Sequence, residues 1–414
     1  MKYLFEKKYL AMRITIGFFI GIIFGFVMPG TAELLKPLGD IFMNLIKMIV
    51  VPVIFFSIAS GMASMKDSKK LAKVGGKVFL VYAALVFVSC IVAAILTVVI
   101  QPGNVVSLSA SGTFDASSVG KVSYADFFIG IVPSNIVSAM ASDNYMQIIF
   151  FTVIFGFSLV ALGKKVQNLT DIMGQFAETT YKMLDVIMNY APIGVFSLIG
   201  YTSAKYGKEL FGSLAMFIVT EILGCLLVFI LLALVTKAYT GIKLGKLFKA
   251  MIPIFLNTAS TNSSTGTIPI TMDVVTNKLK LPSSIASFSI SLGPTICKTG
   301  AAVYKVVLVI FVAQMLRVPL PLAQIFLLIV ISTLLSVATP GIPGGGIATG
   351  AIILGMFGLP LDIMGAIAGI YRIIDIGNTT LNVSSQVFGT LMVAKSDEVW
   401  TPKQFNSPAL CEEN

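Results

Sequence analysis

The sequence predicts an all-α polytopic membrane protein of about eight transmembrane helices and two re-entrant helical hairpins arranged as an inverted repeat. Three observations carry this. Of the 414 residues 56% are hydrophobic and 12% charged, with a mean hydropathy of +0.93, more apolar surface than a soluble core can hide. Two short apolar segments are each broken at the middle by Ser, Thr, Gly and Pro, 257–272 (NTASTNSSTGTIPITM) and 336–350 (SVATPGIPGGGIATG). Their flanking halves, roughly 10 to 17 residues, fall short of the about 20 that cross a bilayer core, so each pair must enter and turn back. Non-helical backbone at membrane depth survives only inside protein or beside a watery cavity, which makes two such hairpins the mark of a transport site near the midplane. Finally, Lys and Arg fall in short loops at alternate turns, as the positive-inside rule expects.

In chain order the spans are expected at 10–28, 39–63, 74–101, 127–162, 170–202 and 210–235. The first hairpin, a span at 283–314, the second hairpin and a last span at 362–394 follow. Lys2, Lys7, Lys8 and Arg13 put the N-terminus in the cytoplasm, with Lys66, Lys69, Lys70, Lys73, Lys164, Lys165, Lys237, Lys243, Lys246 and Lys249 on the same side. The first span lacks a small-residue cleavage site and is expected to be retained. Segment 103–126, rich in Ser, Gly and Val, reads as a solvated outer loop, and 396–414 as a cytoplasmic tail. A net charge of +10 distributed this way orients the chain in the bilayer and does not indicate nucleic acid. Cys90, Cys225, Cys297 and Cys411 have no paired spacing and imply neither a disulfide framework nor a metal site, and no cofactor motif is present. The hairpin–span unit occurs twice, the pattern of an inverted repeat built around a shared site.

The last span carries the chemistry. At 100° per residue Asp375, Asn378, Thr379, Asn382 and Gln386 share one sector, with Tyr371 and Arg372 at its edges. A charge at the bilayer centre costs about 2.5–3.5 kcal/mol, so Asp375, Arg372 and Lys298 need partners. Asp375 reads either as the ligand of a substrate ammonium or as the partner of Arg372, three residues away. The hairpin tips supply hydroxyls, backbone N–H groups and, after Gly266, the positive end of a helix, which together make an anion receptor. Ser263, Ser264 and the backbone from Ile342 to Gly344 are the candidates to hold an α-carboxylate.

These residues resemble a known family. KPLGDIFMNLIKMIVVPVIF, NYAPIGVFSLIGY, NSSTGTIPITM, GIPGGG and DIGNTTLNV occur in the order found in the glutamate transporter homologues, the dicarboxylate/amino acid:cation symporters, and the likeness runs from about residue 9 to 395. It implies a homotrimeric elevator in the cell (inner) membrane with both termini cytoplasmic. Segments 1–75 (spans 1–2) and 103–240 (spans 4–6) would form the scaffold, 76–102 (span 3) and 241–395 (both hairpins and the last two spans) the moving transport domain, with the second hairpin as gate. It also implies that Asp375 binds the substrate ammonium.

Departures from the family pattern bear on substrate and coupling. The arginine that clamps a side-chain carboxylate in acidic-substrate members is Asn378 here, and a threonine that assists it is Ala301. Without a bidentate guanidinium a neutral amino acid is expected over aspartate or glutamate, unless Arg372 reaches the pocket. Where the family has Asn-Met-Asp-Gly-Thr in the seventh span, this chain reads Cys297, Lys298, Thr299, Gly300, Ala301, and a last-span aspartate is Gln386. In the third span, Leu85 and Val86 stand where two hydroxyl residues are expected. Hard cations want oxygen ligands, so sodium binding is expected to be largely lost, leaving Asn382 and the carbonyls near Ser336–Thr339. Lys298 is expected to replace a coupling ion as a tethered cation, or to carry a transported proton.

A secondary transporter of neutral amino acids, sodium-independent and either proton-coupled or exchanging, is therefore the expected function. The alternative is a sodium- or proton-coupled symporter of acidic amino acids or dicarboxylates. A channel lacks a continuous polar path. With no histidine present, an intramembrane hydrolase has only Ser264 and Lys298 as a conventional nucleophile and base.

Overall fold

The computed structural model describes residues 10–63, 69–105, 129–142, 144–206, 209–337, 339, 341, 344–402 and 405. Lys2, Lys7, Lys8, Lys66, Ile342, Cys411 and segment 106–126 of the expected outer loop lie outside them. Among the described residues every regular element is helical, and five helical runs are each long and apolar enough to cross a bilayer, with shorter apolar helices between them. The chain is an all-α, multi-pass membrane protein.

Three expected spans are interrupted, each where the backbone loses its ladder. The fourth is a short helix, Ile136–Ala141, followed by Tyr145–Leu162. Asn135 and Asn144 each turn a side-chain oxygen onto amide N–H groups of the helix that follows, so two N-caps fall inside what hydropathy reads as one apolar run. The fifth is Gln167–Met188 and Ala191–Tyr206, separated at Asn189 and Tyr190 just ahead of Pro192, which has no N–H to continue the ladder. The seventh is Ser283–Ile296 and Thr299–Met315, broken at Cys297 and Lys298. By contrast the last span, Met364–Ser396, is continuous.

The hairpins form as expected. The first has arms Leu244–Thr261 and Ile268–Asp273, the latter continued by a wider π-turn at Val274–Lys278; Asn262 takes a left-handed conformation (φ 50°) to leave the first arm. The second has arms Leu322–Val337 and Gly345–Met356. The last span is the hub. It packs against the first hairpin, both halves of the seventh span, the third span Lys69–Ile100 and the sixth span Glu209–Thr240. Leu10–Val27 lies along Ala191–Tyr206, and Lys36–Ala63 along the fourth and fifth spans. The sixth span, which the resemblance places in the scaffold, packs with the third, seventh and last.

The seventh span's apolar stretch is wholly buried in protein, which is the condition a broken helix at membrane depth must meet. Its carboxyl half begins on the last span: Asn382 Oδ1 accepts from Gly300 N (2.8 Å) and Ala301 N (3.3 Å), capping a helix whose first N–H groups have no partner of their own. A Cβ on Gly300 would strike the main chain of Asn378, so the close approach requires glycine.

Candidate functional site

The two hairpin tips meet over the broken seventh span. Ser263 Oγ donates to Gly341 O (2.9 Å) and Thr265 N donates to the same carbonyl (3.1 Å). Ser263 Oγ also accepts from Gly266 N (2.9 Å). Ser263, expected as a ligand of an α-carboxylate, is therefore engaged between the tips. Beneath them lies a cavity of ≈ 10 Å³, space for about one water, lined by Ser264, Lys298, Ala301, Asp375, Asn378, Thr379 and Asn382, with Asn262, Thr339, Gly341, Gly346 and Tyr371. Residues singled out from sequence thus converge on one chamber from both hairpins, the seventh span and the last span.

The chamber contains one anion and one cation. Asp375 is buried, with Oδ2 3.5 Å from Gly344 N, the residue that starts the second arm of the second hairpin at φ 81°. Lys298, 1% exposed, brings its ammonium beside Gly341, where a Cβ would sit 3.3 Å from Nζ. Both side chains line the same chamber. Arg372 does not pair with Asp375. Its guanidinium turns to Ser260 O of the first hairpin (3.0 Å), and its own carbonyl accepts from Asn262 Nδ2 (3.1 Å). Arg372 instead borders a second, wider cavity of ≈ 430 Å³, which it shares with Leu10, Asp185, Met188, Gly344 and Asp375. Asp375 touches both spaces, so the wider cavity reads as the vestibule to the chamber.

Other expected residues lie behind the chamber. Thr299 Oγ1 bonds Ser385 Oγ (2.8 Å) and Leu381 O (3.2 Å), Cys297 is fully buried at the helix break, and Gln386 packs against Gly293, its Nε2 without a partner among the described residues. Nearby, the Tyr82 hydroxyl of the third span reaches Ser289 O (3.1 Å), Gln386 O (3.2 Å) and Thr390 Oγ1 (3.1 Å), joining the third, seventh and last spans. Leu85 and Val86 are buried apolar neighbours on the same helix and offer no oxygen.

Two intramembrane charges went unremarked in the sequence reading. Lys305, one turn beyond Ala301, is fully buried, and Nζ donates to Ala301 O (2.9 Å), Thr339 Oγ1 (2.9 Å) and Ser336 Oγ (3.4 Å). Lys305 Nζ thus sits at the Ser336 and Thr339 hydroxyls, beside the segment whose carbonyls the sequence left as a possible cation site. Glu221, 1% exposed in the sixth span, lies against the last span. With the Asn378 amide oriented by its neighbours, Nδ2 donates to Glu221 Oε1 (2.8 Å) and Gly300 O (3.0 Å). Both residues could have been found by scanning for single charges inside apolar runs, VYKVVL and VTEILG, since each such charge is a site candidate by cost alone. Among the described residues no group of His, Cys, Asp and Glu could hold a metal ion.

A family model described as the sodium:dicarboxylate symporter family matches residues 10–396. Curated relatives extend over nearly the whole chain. A proton/sodium-glutamate symport protein of Geobacillus stearothermophilus is 32% identical over 94% of this chain and 95% of its own length. A C4-dicarboxylate transport protein of Bacillus subtilis (strain 168) is 30% identical over 94% of each chain, and a proton/glutamate-aspartate symporter of Escherichia coli (strain K12) is 30% identical over 96% of this chain and 95% of its own.

Proposed function

The chain belongs to the sodium:dicarboxylate symporter family and is a secondary transporter, not an enzyme; from that premise we propose that it carries neutral α-amino acids and that sodium does not drive it. One observation carries the substrate reading. Asp375 and Lys298 supply one negative and one positive charge to the chamber, and among the described residues no other charged side chain lines it. A zwitterion meets each charge with its opposite: the α-ammonium at Asp375, the α-carboxylate at Lys298, Ser264 and the backbone of the hairpin tips. A second carboxylate would enter without a cation to receive it. Ile342 stays in the proposal as part of that backbone, although it lies outside the described residues.

Sodium independence is supported by Lys298 and Lys305. The Lys305 ammonium sits at the hydroxyls of Thr339 and Ser336, and Cys297, Thr299 and Gln386 stand where the family has an asparagine and two carboxylates. A tethered cation stabilises the loaded site and cannot move a gradient's worth of ions. Flux is then either exchange or coupled to protons, with Lys298 as the proton carrier in the second case. To reach the chamber from the vestibule, substrate must part the tips, because ≈ 10 Å³ does not admit an amino acid.

A second reading has its own support. The relatives are named for glutamate, aspartate and C4-dicarboxylates, and Arg372 stands in the vestibule next to Asp375. If that guanidinium swings inward, an acidic substrate gains its partner. Counterflow in proteoliposomes discriminates the two. Neutral amino acids should exchange and aspartate, glutamate and succinate should not, with equal rates in sodium and choline. A preference for the acidic set, or an affinity at least tenfold higher in sodium, overturns the first reading. The homotrimer, the elevator motion and cytoplasmic termini implied by the family resemblance belong to the same proposal.

A further inference from the structure

Glu221 is a carboxyl group buried in the middle of the sixth span with no role in the zwitterion scheme above. Its Oε1 accepts from Asn378 Nδ2, and its Oε2 has no hydrogen-bond partner among the described residues. Its importance lies in what it does to Asn378. A carboxamide has two N–H groups and one carbonyl oxygen. One N–H of Asn378 goes to Glu221 Oε1 at 2.8 Å and the other to Gly300 O at 3.0 Å. Both donors are spent on protein acceptors, so the only polar group Asn378 can offer a ligand in the chamber it lines is its carbonyl oxygen. The neighbouring amide is constrained in the opposite sense, since Asn382 spends its oxygen on Gly300 N and Ala301 N.

We propose that Glu221 is a specificity-determining positioning residue: by holding the Asn378 amide it turns an acceptor toward the substrate side chain, and so selects α-amino acids whose short side chain carries a neutral hydrogen-bond donor, a hydroxyl or a carboxamide. This rests on the reading of the chamber as the substrate site. A carboxylate side chain, which only accepts, faces an oxygen with the Glu221 carboxyl behind it. An apolar side chain leaves the Asn378 oxygen buried and unpaired. Both are rejected, the second because a site built to hydrogen-bond a substrate group penalises the analogue lacking it.

The test compares near-isosteric pairs, threonine with valine and serine with 2-aminobutyrate, by competition in counterflow with the full-length protein in liposomes. In the wild type the hydroxyl member should bind about tenfold or more tightly than its apolar partner. Glu221→Leu removes the acceptor and frees Asn378 to turn, so the ratio should fall to about twofold or less. Glu221→Gln, whose amide oxygen can still accept from Asn378, should keep it. A general structural lesion weakens both members of a pair and leaves their ratio unchanged. The wild-type ratio is read first because a leucine here can fail to assemble, and Glu221→Met supplies an unbranched apolar alternative. Equal binding of threonine and valine by the wild type, or an unchanged ratio in the Leu or Met variant, overturns the proposal. Preference of the wild type for aspartate overturns instead the neutral-substrate reading on which it rests.

Discussion

Asp375 was legible from spacing alone, because an acidic residue on an intramembrane helix with polar neighbours at i+3, i+4 and i+7 has only a cavity or a partner to face. Its replacement by Ala should leave Lys298 as an uncompensated buried charge and abolish amino acid binding, a loss of about 3–5 kcal/mol, or at least a hundredfold in affinity by calorimetry. Wild-type affinity in that variant would assign the aspartate a purely structural role. The Arg372–Asp375 pairing was equally readable from i, i+3 spacing and does not form. Asp375 faces Gly344 of the second hairpin while Arg372 is drawn to a carbonyl of the first, and no periodicity reports which neighbour lies on which side. Lys305 was missed for a related reason. Beyond Ala301 O one turn back, its acceptors are 31 and 34 residues ahead in the chain, where no local pattern reaches. Lys305→Met should remove the hydrogen bonds from Nζ to Ala301, Ser336 and Thr339 while both hydroxyls keep their acceptors at Ser332 O and Leu335 O, costing about 1–3 kcal/mol and vacating an oxygen cluster. Sodium should then raise the melting temperature of the variant and not that of the wild type. Lys298→Met should weaken substrate binding at least tenfold if the ammonium is a fixed partner for the α-carboxylate. If it ferries a proton, exchange should survive while uptake driven by a pH gradient is lost.

At the level of elements, hydropathy located nearly every apolar run but not the breaks within them. Asn135, Asn144 and the Asn189–Pro192 turn each carry a capping or donor-removing signal that a hydropathy average smooths away, whereas the hairpin tips were plain because Gly, Ser and Thr cluster there. The interruption at Cys297 and Lys298 has little local signal beyond its charge. It exists because Asn382, from another helix, caps the restart at Gly300, a contact that only the folded chain creates. Gly300→Ala should therefore destabilise the protein by about 1–3 kcal/mol through collision with the Asn378 main chain and should displace a residue that lines the chamber. A thermal-shift measurement and a counterflow assay on the same preparation separate the two effects. A variant as stable as the wild type would show that the span junction has room to give.

For the whole molecule, the arrangement joins a hub of buried helices to a hairpin pair closed over it, and the sodium response is the property that tests the assembly at once. Uptake into liposomes should be the same from sodium and choline media, and only an imposed pH gradient should leave exchange and proton coupling to be told apart. That two lysines lie buried around the chamber was half legible: Lys298 from its place in the family pattern, Lys305 from nothing but a search for lone charges. The closure itself has a further consequence. The first tip is joined to the second through the single carbonyl of Gly341, whose two lone pairs accept from Ser263 Oγ and Thr265 N. Withdrawing that one oxygen releases both donors of the first tip together, so the two bonds between the tips are lost in one step. If the second hairpin opens as proposed, its release should follow a single exponential.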